Sequence, residues 1–175
     1  LSYLLRRQKE IALREHQQTG RTLQLMKWSE ELRAAEDPQS LLPNLYNVLH
    51  NGLLNTHVVL GFQQATYPVE TRLSSLQIEG FLACLADNLA FGPGTGRYEN
   101  QRDLYLPFRG KSKAFGVAVL KLPGHRQLGQ PELAHAQALC DQMGLACERK
   151  EHAARADKAR EQISMEETRN VFLSA

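Results

Sequence analysis

The sequence predicts an α+β domain, a small antiparallel sheet with helices, flanked by long N- and C-terminal helices. Three observations carry that prediction. Residues 2 to about 36 contain no proline and a single glycine, Gly20, with apolar residues at helical spacing. The middle of the chain switches to short apolar and β-branched runs punctuated by Gly and Pro. From Pro131 onward Gly144 is the only helix breaker, so a last helix carried to Ala175 would reach about 65 Å.

Each element has its own signal. In the first helix Leu25, Trp28, Leu32 and Ala35 mark one face. Asp37-Pro38 stops it and starts another, with Asp capping and Pro at the first helical position. That second helix, 38 to 52, carries Leu41, Leu42, Leu45, Val48 and Leu49 and ends at Asn51-Gly52. THVVLGFQQA, 56 to 65, reads as a strand, and a weaker strand is expected at 70 to 76. A helix at 79 to 91 follows from Phe81, Leu82, Leu85 and Leu89. The loop GPGTG, 92 to 96, leads to two strands, DLYLPF (103 to 108) and AFGVAVLKL (114 to 122), joined by the polar turn Arg109-Gly110-Lys111-Ser112. The last helix opens at Pro131-Glu132. Its stripe of Leu133, Ala136, Cys140, Met143 and Cys147 alternates three- and four-residue steps, which predicts a dimer or relay seam. Beyond Cys147 the run ERKEHAARADKAREQ is strongly charged, and a polar helix of such length calls for a partner, so a parallel homodimer is expected.

Composition narrows the function classes. A net charge of +2 without aromatics interleaved in a basic stripe argues against nucleic acid. No run of about 18 apolar residues is present to span a membrane. The start, LSYLLRRQK, fits either the basic segment just cytoplasmic of a transmembrane helix or the first turns of an amphipathic helix. Cys84, Cys140 and Cys147 form no Cys-x-x-Cys pair and fit buried thiols in a reducing compartment.

Few constellations offer chemistry. GPGTG lacks the Lys-Ser/Thr that a phosphate loop needs after its glycines, because Arg97-Tyr98 follows. Glu132-x-x-His135 has the spacing of a carboxylate-bridged metal site without the second copy such sites require, so no metal is expected. Cys84 has no sequence neighbour to activate it and reads as a packing residue. A ligand pocket between sheet and helical insert would use Phe91, Arg97, Tyr105, Phe108 and Arg109; the alternative is core aromatics with solvated arginines. No catalytic residue emerges.

The element order, together with four stretches, RTLQLMKWSEELRAAEDPQSLL, LYLPFRGKSKAFGVAVLKL, QMGLACER and RNVFLSA, resembles a GAF domain, and more closely the GAF-type segment of KdpD-type sensor histidine kinases of potassium-responsive two-component systems. RTLQLMKWSEELRAAEDPQSLL, 21 to 42, resembles the incoming helices of that family. LYLPFRGKSKAFGVAVLKL, 104 to 122, resembles its core hairpin, and QMGLACER, 142 to 149, its helix exit. RNVFLSA, 169 to 175, resembles the lead-in to a Ser-His-Asp-x-Arg-Thr-Pro phosphoacceptor site.

The resemblance implies three segments: a signalling helix after a transmembrane segment (1 to 36), a GAF-like domain (37 to 147), and a helix (148 to 175) leading into a phosphoacceptor and dimerisation domain. It implies a cytoplasmic, dimeric relay that couples the membrane region to the kinase core. The phosphoacceptor histidine, the site for ATP and Mg, and the contact with a response regulator would then belong to the rest of the kinase chain, in a membrane-bound parent. No cofactor is expected in these residues. The alternatives are a ligand-binding GAF domain feeding another output and a GAF-type thiol enzyme.

Overall fold

The computed structural model describes residues 1–53, 56–124 and 127–174. The first helix, α1, runs Ser2–Ala34, and a 3-10 turn at Pro38–Leu41 leads into α2, Leu42–Gly52. Asp37 does what its position predicts: its Oδ1 accepts the Gln39 N–H at 3.2 Å, with Pro38 in the first helical position. Strand β1 is His57–Phe62 and β2 is Ala65–Tyr67. Helix α3 spans Ser75–Asp87, β3 Asp103–Arg109, β4 Ala114–Lys121 and α4 Gln130–Ser174.

The four strands form one antiparallel sheet in the order β2-β1-β4-β3. Strand alternation sends side chains to two faces. Val58, Leu60, Leu104, Leu106, Phe108, Ala118 and Leu120 face α1, α2 and α4 and make the larger core with Trp28, Leu45, Leu139 and Met143. Val59, Tyr105, Val117 and Val119 face α3 and pack with Cys84, Phe91 and Phe81. The result is a three-layer sandwich with one helix on one side and three on the other.

Several boundaries differ from expectation, among them the strand expected over 56 to 65, which ends at Phe62, and the helix expected over 38 to 52, which opens as a 3-10 turn. The weak strand at 70 to 76 does not form; the second strand is Ala65–Tyr67, turned back on β1 through Gln63, which takes the left-handed conformation at φ 54°. Helix α3 begins four residues before Glu79. Ser74 Oγ accepts the Gln77 N–H at 3.2 Å while Gln77 Oε1 accepts the Ser74 N–H at 2.9 Å, a reciprocal cap that fixes the start. It ends at Asp87 because Asn88 is left-handed, φ 53°, and Phe91 instead bridges to Tyr105 by backbone bonds of 2.9 and 3.1 Å.

Helices α1 and α4 run parallel. Trp28 Nε1 donates to the Leu139 carbonyl and His135 Nε2 meets Gln24 Oε1, both at a separation of 111 residues, and just past the end of α1 Lys150 Nζ reaches Asp37 Oδ1 at 113. A nearly constant offset is what two parallel helices give. Residues 1–20 of α1 and residues 152–174 of α4 are exposed throughout. The helices therefore project from opposite ends of the sandwich, about 30 Å each at 1.5 Å per residue.

Candidate functional site

The five residues expected to line a pocket do not converge. Phe91 and Tyr105 stack on the α3 face with ring centroids 4.6 Å apart. Arg97 lies at that end and pairs with Asp87 at 3.2 Å. Phe108 points through the opposite face into the larger core. Arg109 makes a two-pronged bond to Asp141 on α4, Nε to Oδ1 and Nη2 to Oδ2, both 2.7 Å. That bond holds the guanidinium above its usual range.

The space between sheet and α3 is filled by the protein itself. A Cβ on Gly80 would lie 2.5 Å from Tyr105 Cζ, so the tyrosine ring rests directly on the α3 backbone. Burial, then Asp103 and Cys84, pushes the Tyr105 phenol up to about 12. The shared pocket of Phe91, Arg97, Tyr105, Phe108 and Arg109 is thus corrected: three are packing or paired on the α3 side, and two belong to the contact with α4.

The glycine loop carries an anion of its own. Glu99 accepts the Gly94 N–H at 2.8 Å and the Gly96 N–H at 2.6 Å, and these bonds hold its carboxyl below the usual range. The amides a phosphate would use are occupied. Glu132 and His135 do not share a metal-like arrangement either. Glu132 Oε2 accepts the Gly129 N–H at the start of α4, whereas His135 turns to Gln24 at 2.6 Å.

The environments of the thiols favour their protonated forms. Cys84, Cys140 and Cys147 are buried and free. Burial pushes Cys84 and Cys147 up to about 12, and Cys140 well above its ordinary value. For Cys84 the nearby Arg97 opposes this shift and is outweighed by burial. A thiol in that state holds its proton at neutral pH and is a poor nucleophile.

What the structure does bring together is the strip where α1, the β3–β4 turn and α4 meet. The stripe of Ala136, Cys140, Met143 and Cys147 is buried against β3, β4 and α1, with Leu133 partly buried beside it. These residues are covered within the chain, which corrects the expectation that they form a seam between two copies. Gly144 belongs to the same contact: a Cβ there would touch the Arg109 carbonyl oxygen and lie 2.5 Å from the Phe108 carbonyl carbon.

The turn is clamped to α4 at three points. Beside Arg109–Asp141, the Lys111 N–H donates to buried Glu148 Oε2 at 2.9 Å, and Lys113 pairs with Glu151 at 3.0 Å. Sequence reasoning missed Asp141, Glu148 and Glu151. The available signal was their spacing of seven and ten residues along one helix, opposite a turn that reads Arg-Gly-Lys-Ser-Lys.

With this geometry in place, the likeness to solved structures is specific about fold. The GAF domain of the potassium sensor histidine kinase KdpD from Escherichia coli superposes with a TM-score of 0.59 at 20% identity, over 77% of this chain and 98% of that one. The GAF domain of a protein assigned as a sensor histidine kinase from Pseudomonas syringae pv. tomato gives 0.53 at 22% identity, over 85% and 99%. No protein-family model matches the sequence, and no curated protein matches it. The chain has the GAF fold. Among the described residues no helix is long and apolar enough to cross a membrane.

Proposed function

We propose that this chain is a sensory relay module of a sensor histidine kinase of KdpD type, working as a homodimer on the cytoplasmic side of a bacterial inner membrane. The observation that carries the proposal is the parallel α1–α4 pair, joined at Trp28–Leu139 and Gln24–His135 with the same offset and leaving the sandwich at opposite ends. The two similar GAF domains belong to a sensor histidine kinase and to a protein assigned as one, which supports the same reading.

In this reading a displacement arriving along residues 1–20 reaches α4 through side chains already in contact. Trp28 grips the α4 backbone at Leu139, and Asp37 holds Lys150 where α4 leaves the domain. The acidic clamp on the β3–β4 turn ties α4 to the sheet, so α4 moves with the domain. The exposed half of α4 carries Ile163, Met165, Val171, Phe172 and Leu173, apolar side chains for pairing with the second copy. Segment 1 to 36 acts as incoming helix, 37 to 147 as GAF-like body and 148 to 175 as output helix. Phosphoacceptor histidine, Mg-ATP site and response-regulator contact belong to other parts of the kinase. In this reading none of the described residues acts as a catalyst; burial, which pushes the Cys84 thiol up to about 12, speaks against a thiol enzyme.

The test is a series of insertions of one to about seven residues after Arg155 in the intact parent protein, read by autophosphorylation. Each inserted residue turns the downstream helix by about 100°. Activity is expected to oscillate with the helical repeat. A flat response overturns the relay, and absence of any autophosphorylation in the unaltered parent overturns the kinase assignment.

A further inference from the structure

We propose that the cleft between α1 and the start of α4 is a binding site for a small organic monocarboxylate with an apolar body. The cleft has a volume of about 430 Å³, within the range of small-molecule sites. It lies on the three-helix side of the sheet, away from the filled α3 face. One wall is apolar, made by Leu53, Leu122, Pro123 and Leu128. The facing wall is polar and comes from two helices, Arg21 and Gln24 of α1 and Glu132 and His135 of α4.

Charge selects the ligand. Arg21 is half-buried and pairs with no carboxylate among the described residues. Among the described residues Glu132 is the other charged group on the cleft, and its carboxylate accepts the Gly129 N–H in the first turn of α4, where the helix dipole favours a negative charge. His135 is held towards its neutral form by burial and then by Arg21. Among the described residues the cation on the cleft that has no paired carboxylate is the Arg21 guanidinium, whose fork of donors matches a carboxylate.

Space points the same way. Gly20 stands in the interior of α1 on the wall of this cleft, and a Cβ there would meet nothing within 4 Å. Glycine in a helix interior costs stability relative to alanine, and no neighbouring atom excludes a side chain at this position. Its missing side chain leaves the cleft open beside Arg21. Gly52, on the opposite rim at the end of α2, is likewise unobstructed. A ligand seated here touches both helices where Gln24 joins His135, and so favours one relative setting of α1 and α4. That last consequence rests on the relay reading; the binding itself does not.

The experiment is a titration of the ¹⁵N-labelled chain with benzoate and hexanoate, each compared with its uncharged amide. Both carboxylates are expected to shift the Gly20, Gly52 and Thr56 backbone amides saturably, while benzamide and hexanamide do not. Arg21→Gln is expected to weaken binding about tenfold, the loss of a charge-assisted pair. Gly20→Leu is expected to abolish the shifts while the rest of the spectrum stays folded. The proposal is overturned by shifts that do not saturate, by equal binding of the amides, or by an Arg21→Gln chain that binds as before. The readout involves no kinase activity, so a flat insertion series and a failed titration are separate outcomes.

Discussion

The two halves of α4 are one continuous helix held up in different ways. From Gln130 to Glu148 the helix buries Ala136, Leu139, Cys140, Met143, Gly144, Ala146, Cys147 and Glu148. From His152 to Ser174 every residue is exposed. In the first half, burial against the sheet and α1 stabilises the helix. In the second the local support consists of the Glu151–Arg155 and Asp157–Arg160 pairs. Such pairs contribute a few tenths of a kcal/mol each at exposed positions, too little to hold a long polar helix alone. The difference teaches that the first half belongs to the domain and that the second is not held by it.

The largest expected effect is at Gly144. A leucine there would drive a side chain into the backbone of Phe108 and Arg109, and α4 would have to lift from β3. The Asp141 and Glu148 bonds to the β3–β4 turn would go with it. Gly144→Leu is expected to cost about 3 kcal/mol or more in urea unfolding. An unchanged midpoint would mean that the packed half is not packed as described.

A matched pair of truncations sharpens the contrast. Met143 is fully buried and Met165 is 72% exposed. Met143→Ala is expected to cost about 2–5 kcal/mol, with a cavity left against the sheet. Met165→Ala is expected to change the stability of the isolated, dilute chain by less than about 0.5 kcal/mol. Equal losses would erase the distinction between the halves. A Met165 loss that appears only as concentration rises would identify the partner as a second copy.

How legible this was depended on the physics behind each signal. Asp37-Pro38 was readable because Asp caps and Pro presets the first helical position, while Asn51-Gly52 and the Arg109–Ser112 turn were readable as breaks between apolar runs. β2 was not, because Gln63 turns the chain in the left-handed region without the Gly or Asn that announces it. The α3 start was available in Ser74-x-x-Gln77 but lies ahead of the apolar stripe used to place the helix. The pocket failed on a point alternation already contained: Tyr105 and Phe108 are an odd number of residues apart on one strand and face opposite ways. The α4 stripe correctly marked a buried face. Spacing alone does not say whether a sheet of the same chain or a second helix covers it, and here the sheet does.

The smallest expected effect is a pH dependence confined to the packed half. His135 sits between α1 and α4, with Nε2 on Gln24 and a buried Nδ1 that has no partner among the described residues. Burial, then Arg21, lowers its pKa from the ordinary 6.5. As the pH falls through about 6.5 the unfolded chain takes up a proton that the folded chain still refuses. Stability is therefore complete above that value and is lost as the pH drops through the folded pKa. The ring is partly exposed, so solvent screening keeps the loss below that of Met143→Ala. The urea midpoint is expected to slope downward on the acid side, and His135→Gln to remove most of that slope. Removing residues 156–174 is expected to leave the slope in place, because the proton is taken up in the half of α4 that the sheet and α1 hold. A slope that vanished with the exposed half would place the coupling outside the domain.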